Sequence, residues 1–239
     1  MRKLFFANWK MYLDDDAAAS LAHLYAERAE KASVEVAVAP GFTALERVAG
    51  IFKGSSVALG AQDAFWKDEG AFTGEVSPKQ LAALGARYVI VGHSERRALG
   101  ETDEIVARKA RAVAKDGMTP VLCVGETKEE REAGKREAVV LSQLEAVLNE
   151  WDGEAYIVAY EPRWAIGTGT PCLPEDVEAM HAMIRGKVGA DVRILYGGSV
   201  DPSNAASYLD LSNVDGLLVG GASAKQDTAR ALFDLFSPA

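Results

Sequence analysis

The residues best suited to chemistry are a carboxylate, an imidazole and an ammonium group, each just after a different apolar run. They are Glu161, His93 and Lys10. Pro162 stops any strand directly after Glu161, because proline lacks the N–H that a strand donates to its neighbour. A carboxylate can remove a proton next to a carbonyl group, and a histidine and a lysine can stabilise the oxyanion that develops. The three side chains therefore indicate proton transfer at a carbonyl compound.

A segment with an apolar tip follows Glu161 and has glycine near its far end. Residues 162–169 read PRWAIGTG. Such a segment could fold over the carboxylate and exclude water from a reactive intermediate. The alternative is a solvated carboxylate at a strand end followed by an ordinary glycine-rich turn, and this stretch by itself does not decide between the two.

Glycine pairs follow the last two apolar runs. Gly197 and Gly198 precede Ser199, and Gly220 and Gly221 follow residue 219. Glycine lets backbone N–H groups approach an anion closely, and the N-terminus of a following helix adds positive partial charge. Each pair alone could simply make a tight turn. We interpret the two pairs together as an anion-binding site.

The histidine at position 93 stands at a predicted helix start. Ser94 and Glu95 after it are typical of the first residues of a helix. Positive partial charge there disfavours the imidazolium, so we expect His93 to be neutral and to donate a hydrogen bond to a carbonyl oxygen. The alternative is a core histidine whose ring is satisfied by the backbone. Glu95 is predicted to pair with Lys10 or with Arg96.

The other ionisable residues are given no part in the chemistry. Glu126 and the charged residues at 129–131 are interpreted as a solvated helix entrance, and His23 and His181 as surface or packing residues within helices. No H-x-H, H-E-x-x-H or cysteine cluster is present, so no metal is expected.

The charge and cysteine content exclude several classes of protein. The chain has 26 basic and 35 acidic residues and a formal net charge of −9, which argues against binding to nucleic acid or anionic membranes. The two cysteines, Cys123 and Cys172, have no metal-ligand spacing and suggest a reducing, cytoplasmic setting. No apolar run reaches the roughly 18 residues of a membrane span, and the first residues do not form a signal peptide.

Eight short apolar runs must position the candidate residues. They are 4–9, 34–39, 57–61, 88–91, 119–124, 156–160, 192–196 and 217–219. Their almost continuous apolar character is typical of parallel strands buried on both faces. Segments with helical spacing lie between them, at 17–31, 77–85, 102–116, 135–151, 174–188, 202–208 and 224–236.

Repeated strand-then-helix units in 239 residues predict an α/β fold, a (β/α)8 barrel with a closed eight-stranded parallel sheet, as a single domain over residues 1–239. The alternative is an open doubly wound sheet. It is disfavoured because the first strand is not followed by G-x-G-x-x-G and because the candidate residues are spread over many strand ends. In a barrel these strand ends form one active face.

The motifs at the strand ends resemble those of the triosephosphate isomerase family over essentially the whole chain. They read FANWKM at 6–11, GAQD at 60–63, GAFTGEVS at 70–77, VGHSERR at 91–97, CVGE at 123–126, AYEPRWAIGTG at 159–169, YGGSV at 196–200 and VGGAS at 219–223. Each is weak alone, but all of them in this order are specific. The resemblance implies a TIM barrel without a cofactor that interconverts dihydroxyacetone phosphate and D-glyceraldehyde 3-phosphate through an enediol(ate), in glycolysis and gluconeogenesis.

The resemblance also implies residue roles. Glu161 would be the base, His93 the neutral electrophile and Lys10 the cation beside the substrate. The implied substrate-binding residues are Asn8, Gly167, Ser199, Gly220 and Gly221; the supporting residues are Glu95, Ser94 and Cys123; the lid residues are Pro162, Arg163, Trp164, Ala165, Ile166 and Thr168. A cytoplasmic homodimer formed through the loop around Thr73 is implied as well.

The chain departs from the family pattern at several positions. Arg163 stands where many members carry an aliphatic residue, and Pro171 stiffens the far end of the lid, so both bear on lid motion. Tyr12 replaces a common asparagine and receives no role from the sequence.

Two other functions stay open. Another sugar-phosphate barrel enzyme, such as an aldolase with a Schiff-base lysine, needs a lysine within a strand. The apolar runs carry lysines only at the edges of the first, at Lys3 and Lys10. The second is a non-catalytic barrel that only binds phosphate.

Overall fold

The computed structural model describes residues 2–149, 151, 153, 155–166 and 171–236. These residues form eight strands, which are β1 (Leu4–Asn8), β2 (Glu35–Ala39), β3 (Val57–Ala61), β4 (Tyr88–Val91), β5 (Thr119–Val124), β6 (Ile157–Tyr160), β7 (Arg193–Tyr196) and β8 (Gly216–Val219). They also form ten α-helices, which are α1 (Asp15–Ala29), α2 (Leu45–Phe52), α3 (Pro78–Ala83), α4 (Ser94–Ala98), α5 (Asp103–Lys115), α6 (Lys128–Glu132), α7 (Arg136–Leu148), α8 (Pro174–Val188), α9 (Ala205–Leu209) and α10 (Gln226–Leu235).

The strands form one closed parallel barrel. Each strand pairs with its neighbours in the chain, and β1 pairs in parallel with β8 to close the sheet. The predicted barrel is therefore confirmed, and the open sheet is wrong. All eight strands begin and end within one residue of their predicted limits.

Both faces of the sheet are buried, which explains the continuous apolar runs. Inside the barrel, Phe6 packs against Tyr88 with ring centroids 5.8 Å apart. On the outer face, the neighbouring Phe5 contacts Tyr25 of α1 and Phe233 of α10, with centroids 6.1 and 5.7 Å apart. Successive strand residues point to opposite faces. One of two adjacent residues is therefore apolar because it fills the barrel interior, and the other because it packs under the helices.

Two helices show the side-chain caps that the sequence predicts at their first residues. The side chain of Asp14 accepts a hydrogen bond from the N–H of Ala17 at the start of α1, and Ser77 forms a capping box with Gln80 at the start of α3. Helix α2 was not predicted. It has only eight residues, includes Gly50 and begins without a side-chain cap, so it lacks the signals that sequence patterns use.

The described residues contain neither a membrane-spanning helix nor a cluster of metal-ligating side chains. None of the helices described is long and apolar enough to cross a membrane. Within the same residues no group of three or more His, Cys, Asp and Glu could hold a metal ion.

Candidate active site

The predicted chemical groups meet at the C-terminal mouth of the barrel. Asn8 is the last residue of β1, Glu161 follows β6 directly, and His93 lies two residues beyond β4. Because all eight strands are parallel, these ends lie on one face although they are far apart in the chain.

Glu161 is buried and held by the residues after β4. Its side chain is 2% exposed, and Oε2 accepts a hydrogen bond of 2.9 Å from the backbone N–H of Ser94. Its Oε1 lies 3.0 Å from Nε2 of His93. Sequence reasoning proposed both residues but not this direct contact between them.

The neighbours of Glu161 decide its ionisation. Burial alone disfavours the carboxylate, but His93 and the N–H of Ser94 outweigh it and hold the pKa of Glu161 below its ordinary value. Burial, together with the same carboxylate, raises the pKa of Cys123 well above its ordinary value. The thiol therefore stays neutral beside an ionised base.

The two ring nitrogens of His93 contact two different partners. Its Nδ1 accepts a hydrogen bond of 3.2 Å from the backbone N–H of Glu95, in the first turn of α4. The remaining proton of a neutral ring then lies on Nε2, which faces Glu161. Burial disfavours the imidazolium, but the Glu161 carboxylate outweighs burial and raises the pKa of His93 above its ordinary value. The N-terminus of α4 therefore does not set the charge of His93 alone. That the imidazole is neutral stays a prediction.

The cation at the mouth of the barrel is Lys10. Its Nζ lies 2.6 Å from Glu95 Oε1, so the predicted pairing of Glu95 with Lys10 is the one that forms, while Arg96 lies 3.0 Å from Asp63. Lys10 has a φ of 49°, a left-handed conformation that is uncommon outside glycine. Its N–H donates to Oδ1 of Asn8 at 3.1 Å, which helps to hold this turn.

The two glycine turns lie against the base and the cation. A β-carbon built on Gly197 would stand 3.0 Å from Cγ of Glu161, and one built on Gly220 would stand 2.9 Å from Cε of Lys10. Ser199 is partly buried in the turn after β7, and its carbonyl accepts a hydrogen bond from Asn204. The structure thus brings the predicted anion site next to the predicted proton-transfer groups.

The first part of the predicted lid is a tight turn that follows β6. Arg163–Ala165 form a 3-10 turn, and the N–H of Ala165 donates to the carbonyl of Pro162 at 2.8 Å. Ala165 is buried, whereas Arg163, Trp164 and Ile166 are partly exposed. Gly167 and Thr168 lie outside the described residues.

The interpretation of Glu126 as solvated was wrong. It is fully buried, and its Oε1 accepts a hydrogen bond of 2.9 Å from Nε1 of Trp164. The hydroxyl of Tyr160 donates to the same carboxylate, at 3.1 Å from Oε2. The sequence held a signal for this placement, because the capping box of Thr127 and Glu130 starts helix α6 after Glu126 and leaves that residue at the barrel mouth.

Arg131 of α6 contacts the lid turn and is tied to α8 by an ion pair. The guanidinium of Arg131 lies 4.4 Å from the ring centroid of Trp164. Arg131 and Arg136 both bond to Asp176 in the first turn of α8, at 2.7 and 3.0 Å. The residues that flank the lid are thereby linked to one another.

A cavity of about 470 Å³ opens at the mouth of the barrel, and its walls include Lys10, Tyr12, Glu95, Arg163, Trp164 and Ile166. A larger cleft of about 880 Å³, with Trp66, Arg108 and Lys115 in its walls, lies elsewhere and contains none of the predicted site residues. The smaller cavity is therefore the chemically relevant one.

A closed parallel barrel with a carboxylate, an imidazole and an ammonium group at its mouth falls into the class of (β/α)8-barrel isomerases. The sequence model of the family described as triosephosphate isomerase matches residues 3–236. The chain belongs to the triosephosphate isomerase family.

Individual relatives agree with this assignment. A triosephosphate isomerase of Roseiflexus castenholzii is 45% identical over an alignment of 248 residues that covers 98% of each chain. One of Nitratidesulfovibrio vulgaris is 48% identical over 239 residues, covering 93% of this chain and 95% of the relative. A crystal structure of triosephosphate isomerase from Bartonella henselae superimposes with a TM-score of 0.89 at 36% identity and covers 99% of each chain.

Proposed function

We propose that the chain, as one barrel domain, interconverts dihydroxyacetone phosphate and D-glyceraldehyde 3-phosphate with Glu161 as its base. The observation that carries this proposal is the contact of Glu161 with His93, 3.0 Å between Oε1 and Nε2, beside the glycine turns after β7 and β8. A base, an electrophile and an anion site at one barrel mouth are what the isomerisation of a sugar phosphate requires.

The reaction follows from these contacts. Glu161 removes a proton from the carbon next to the carbonyl group, and the electron pair moves to the carbonyl oxygen. The Nε2–H of His93 donates a hydrogen bond to that oxygen, and the ammonium group of Lys10 stabilises its developing charge. The Nε2 of His93 gives its proton to that oxygen and takes up the proton of the hydroxyl on the adjacent carbon, so that a proton moves from one oxygen to the other. Glu161 returns its own proton to the former carbonyl carbon, which converts aldose to ketose or the reverse without a cofactor.

Substrate has to replace contacts that the free site makes. Oε2 of Glu161 is bonded to the N–H of Ser94 and Oε1 lies against His93. The bond from Trp164 to Glu126 joins the lid turn to the loop after β5. We propose that closure of the lid over the substrate moves this turn, frees Glu161 for the substrate carbon and excludes water from the enediolate.

The anion site would hold the substrate phosphate. Ser199, Gly220 and Gly221 supply its backbone N–H groups, and Asn8 supports the turn that presents Lys10 to the substrate. Gly167 is proposed as a further phosphate donor and Thr168 as part of the lid; both lie outside the described residues.

An aldolase with a Schiff-base lysine has no support. None of the eight strands described contains a lysine. The deeply buried Lys109 lies on α5, outside the barrel, and bonds to Asp63 at 2.7 Å. No strand therefore offers a lysine nucleophile to the barrel axis.

A coupled assay with each triose phosphate tests the proposed reaction. Glu161→Ala is expected to lower the rate at least ~10³-fold, about 4 kcal/mol of barrier. Glu132→Ala, at an exposed position of α6, is the matched control and should keep full activity. Absence of turnover by the wild-type protein at high concentration would contradict the reaction, and a loss of only a few-fold in Glu161→Ala would mean that another group is the base.

We further propose a cytoplasmic homodimer formed through the loop around Thr73. Phe72, next to Thr73, is 42% exposed, and Met11, next to Lys10, is 98% exposed. Large exposed apolar side chains favour a protein–protein contact. Both cysteines are free and buried, which is compatible with a reducing compartment.

Light scattering tests the dimer. The wild-type protein should have twice the mass of one chain, and Thr73→Arg should have the mass of a single chain, because a long charged side chain at the contact is unpaired there. Ala206→Arg, at an exposed position of α9, should leave the mass unchanged. A wild-type mass of a single chain would overturn the proposal.

A further inference from the structure

The loop after β1 forms a wall of the proposed phosphate site that the sequence did not assign. In the closed barrel β8 lies between β7 and β1. The glycine turn after β8 therefore has the loop after β7 on one side and the loop after β1 on the other. Lys10 and Tyr12 belong to the second of these loops.

The turn that carries Tyr12 is held in place by several hydrogen bonds. The N–H of Tyr12 donates to the carbonyl of Trp9 at 3.3 Å. The side-chain amide of Gln62, beyond β3, donates to the carbonyl of Lys10 at 2.8 Å. The backbone position of Tyr12 is therefore built into the loop.

Tyr12 packs against the second glycine of the turn after β8. A β-carbon built on Gly221 would stand 3.7 Å from both Cε2 and the hydroxyl oxygen of Tyr12 and 3.8 Å from Cζ. Lys10 covers Gly220 in the same way. Adjacent residues of the anion turn are thus covered by a cation and by a phenol, and both side chains line the same cavity.

We propose that Tyr12 is a phosphate-binding residue whose hydroxyl donates a hydrogen bond to the phosphate of the bound triose phosphate. This inference rests on the proposed function, because it needs an anion on the Gly220–Gly221 turn. A phenol is a neutral donor that can bond to an anion, and its ring covers the β1 side of the turn. Tyr12 is 65% exposed in the single chain and lines the cavity beside Lys10.

The expected effect is on binding and not on the chemical step. The phosphate group does not change during the isomerisation, so a contact with it stabilises the ground state and the transition state alike. Tyr12→Phe should raise KM by roughly 5- to 10-fold, because one partly solvated hydrogen bond to a charged group is lost. The value of kcat should stay within about twofold.

Inorganic phosphate serves as the probe, with binding measured by phosphorus NMR titration and by competitive inhibition of turnover. Tyr12→Phe should weaken phosphate binding by roughly the same 5- to 10-fold factor as it raises KM. Tyr156→Phe, at a partly exposed tyrosine that precedes β6 at the opposite end of the barrel, is the matched control and should bind phosphate as the wild type does.

Three results would overturn the inference. The first is that Tyr12→Phe binds phosphate within twofold of the wild type. The second is that Tyr12→Asn loses affinity while Tyr12→Phe keeps it, because the aromatic ring and not the hydroxyl would then matter. The third is that weaker binding occurs only together with a change in mass by light scattering. Failure of the proposed function is distinguishable, because it appears as a wild-type protein without turnover, whereas the NMR titration does not depend on turnover.

Discussion

The backbone of Gly125 lies directly against the backbone of Glu161. A β-carbon built on Gly125 would stand 1.8 Å from the carbonyl oxygen of Glu161 and 2.6 Å from its carbonyl carbon. No side chain fits in that space without displacement of one of the two segments. The end of β5 therefore fixes the position of the residue that we propose as the base.

Gly125→Ala should damage the reaction by moving Glu161. A displacement of about 1 Å in a catalytic group can lower the rate on the order of 10²-fold, so we expect kcat to fall by about that factor. Gly186→Ala in α8 is the control, because nothing lies within 4 Å of its β-carbon position; it should keep kcat and raise stability slightly. Steady-state kinetics checks both variants, and an unchanged kcat in Gly125→Ala would show that the two backbones are not coupled.

Glu126→Leu should destabilise the protein. The change removes the acceptor of two donors, the hydroxyl of Tyr160 and Nε1 of Trp164. Each buried unsatisfied donor costs about 1–3 kcal/mol, so the free energy of unfolding should fall by about 2–6 kcal/mol and Tm by roughly 4–20 °C. Thermal unfolding measures this, with Glu132→Leu on the exposed side of α6 as the control. A Tm within 2 °C of the wild type, roughly the effect of one kcal/mol, would mean that both donors find other partners.

His93→Gln should change both the rate and its dependence on pH. Loss of the imidazole should lower kcat on the order of 10²-fold. His93 also holds the pKa of Glu161 down against burial. A base works only when it is ionised, so a higher pKa moves the acid limb of kcat/KM to higher pH.

The measurement is kcat/KM against pH for the wild type, His93→Gln and His23→Gln. The substrate titrates alike with all three, so differences between the profiles report on the protein. His23 is exposed on α1, and its variant should follow the wild type. An acid limb that does not move in His93→Gln would show that the imidazole does not hold the pKa of Glu161 down.

His181 should make the fold sensitive to acid. Burial lowers its pKa from 6.5 to about 4. Its Nδ1 lies 3.1 Å from the carbonyl of Asn213, and its Nε2 has no hydrogen-bond partner among the described residues. Below pH 6.5 the unfolded chain binds a proton at His181, whereas the folded chain binds it only near pH 4. The free energy of unfolding therefore falls as the pH is lowered from 6.5 to about 4, by about 3 kcal/mol in total.

Urea unfolding at pH 7 and pH 4 tests this source of acid sensitivity. His181→Phe keeps a ring beside Tyr160 and removes the titrating group, so its loss of stability on acidification should be about 3 kcal/mol smaller than that of the wild type. His23→Gln should lose as much as the wild type. Equal losses in His181→Phe and the wild type would assign the acid sensitivity to other groups.

The barrel and the strand ends could be predicted because they depend on local patterns. A strand buried on both faces must be apolar at almost every position, and the eight runs therefore appear in the sequence with nearly correct limits. Repeated strand–helix units then leave few topologies. In a parallel barrel all strand ends share one face, so Glu161, His93 and Lys10 could be assigned to one site before their distances were known.

The contacts within the site were decided by the tertiary structure. Ser94 and Glu161 are 67 residues apart, and Lys10 and Glu95 are 85 apart, yet each pair is bonded. A local pattern contains no distance between such residues, so it could not choose Lys10 over Arg96 as the partner of Glu95.

The sequence by itself determined the kind of fold, the family resemblance and the residue types at the mouth of the barrel, because periodicity and motif order are properties of the chain. Only the tertiary structure decided that Glu126 is buried under Trp164 and that Tyr12 covers Gly221. Burial and proximity arise when strands distant in sequence close into a barrel. They then determine which side chains are ionised and which groups face a ligand.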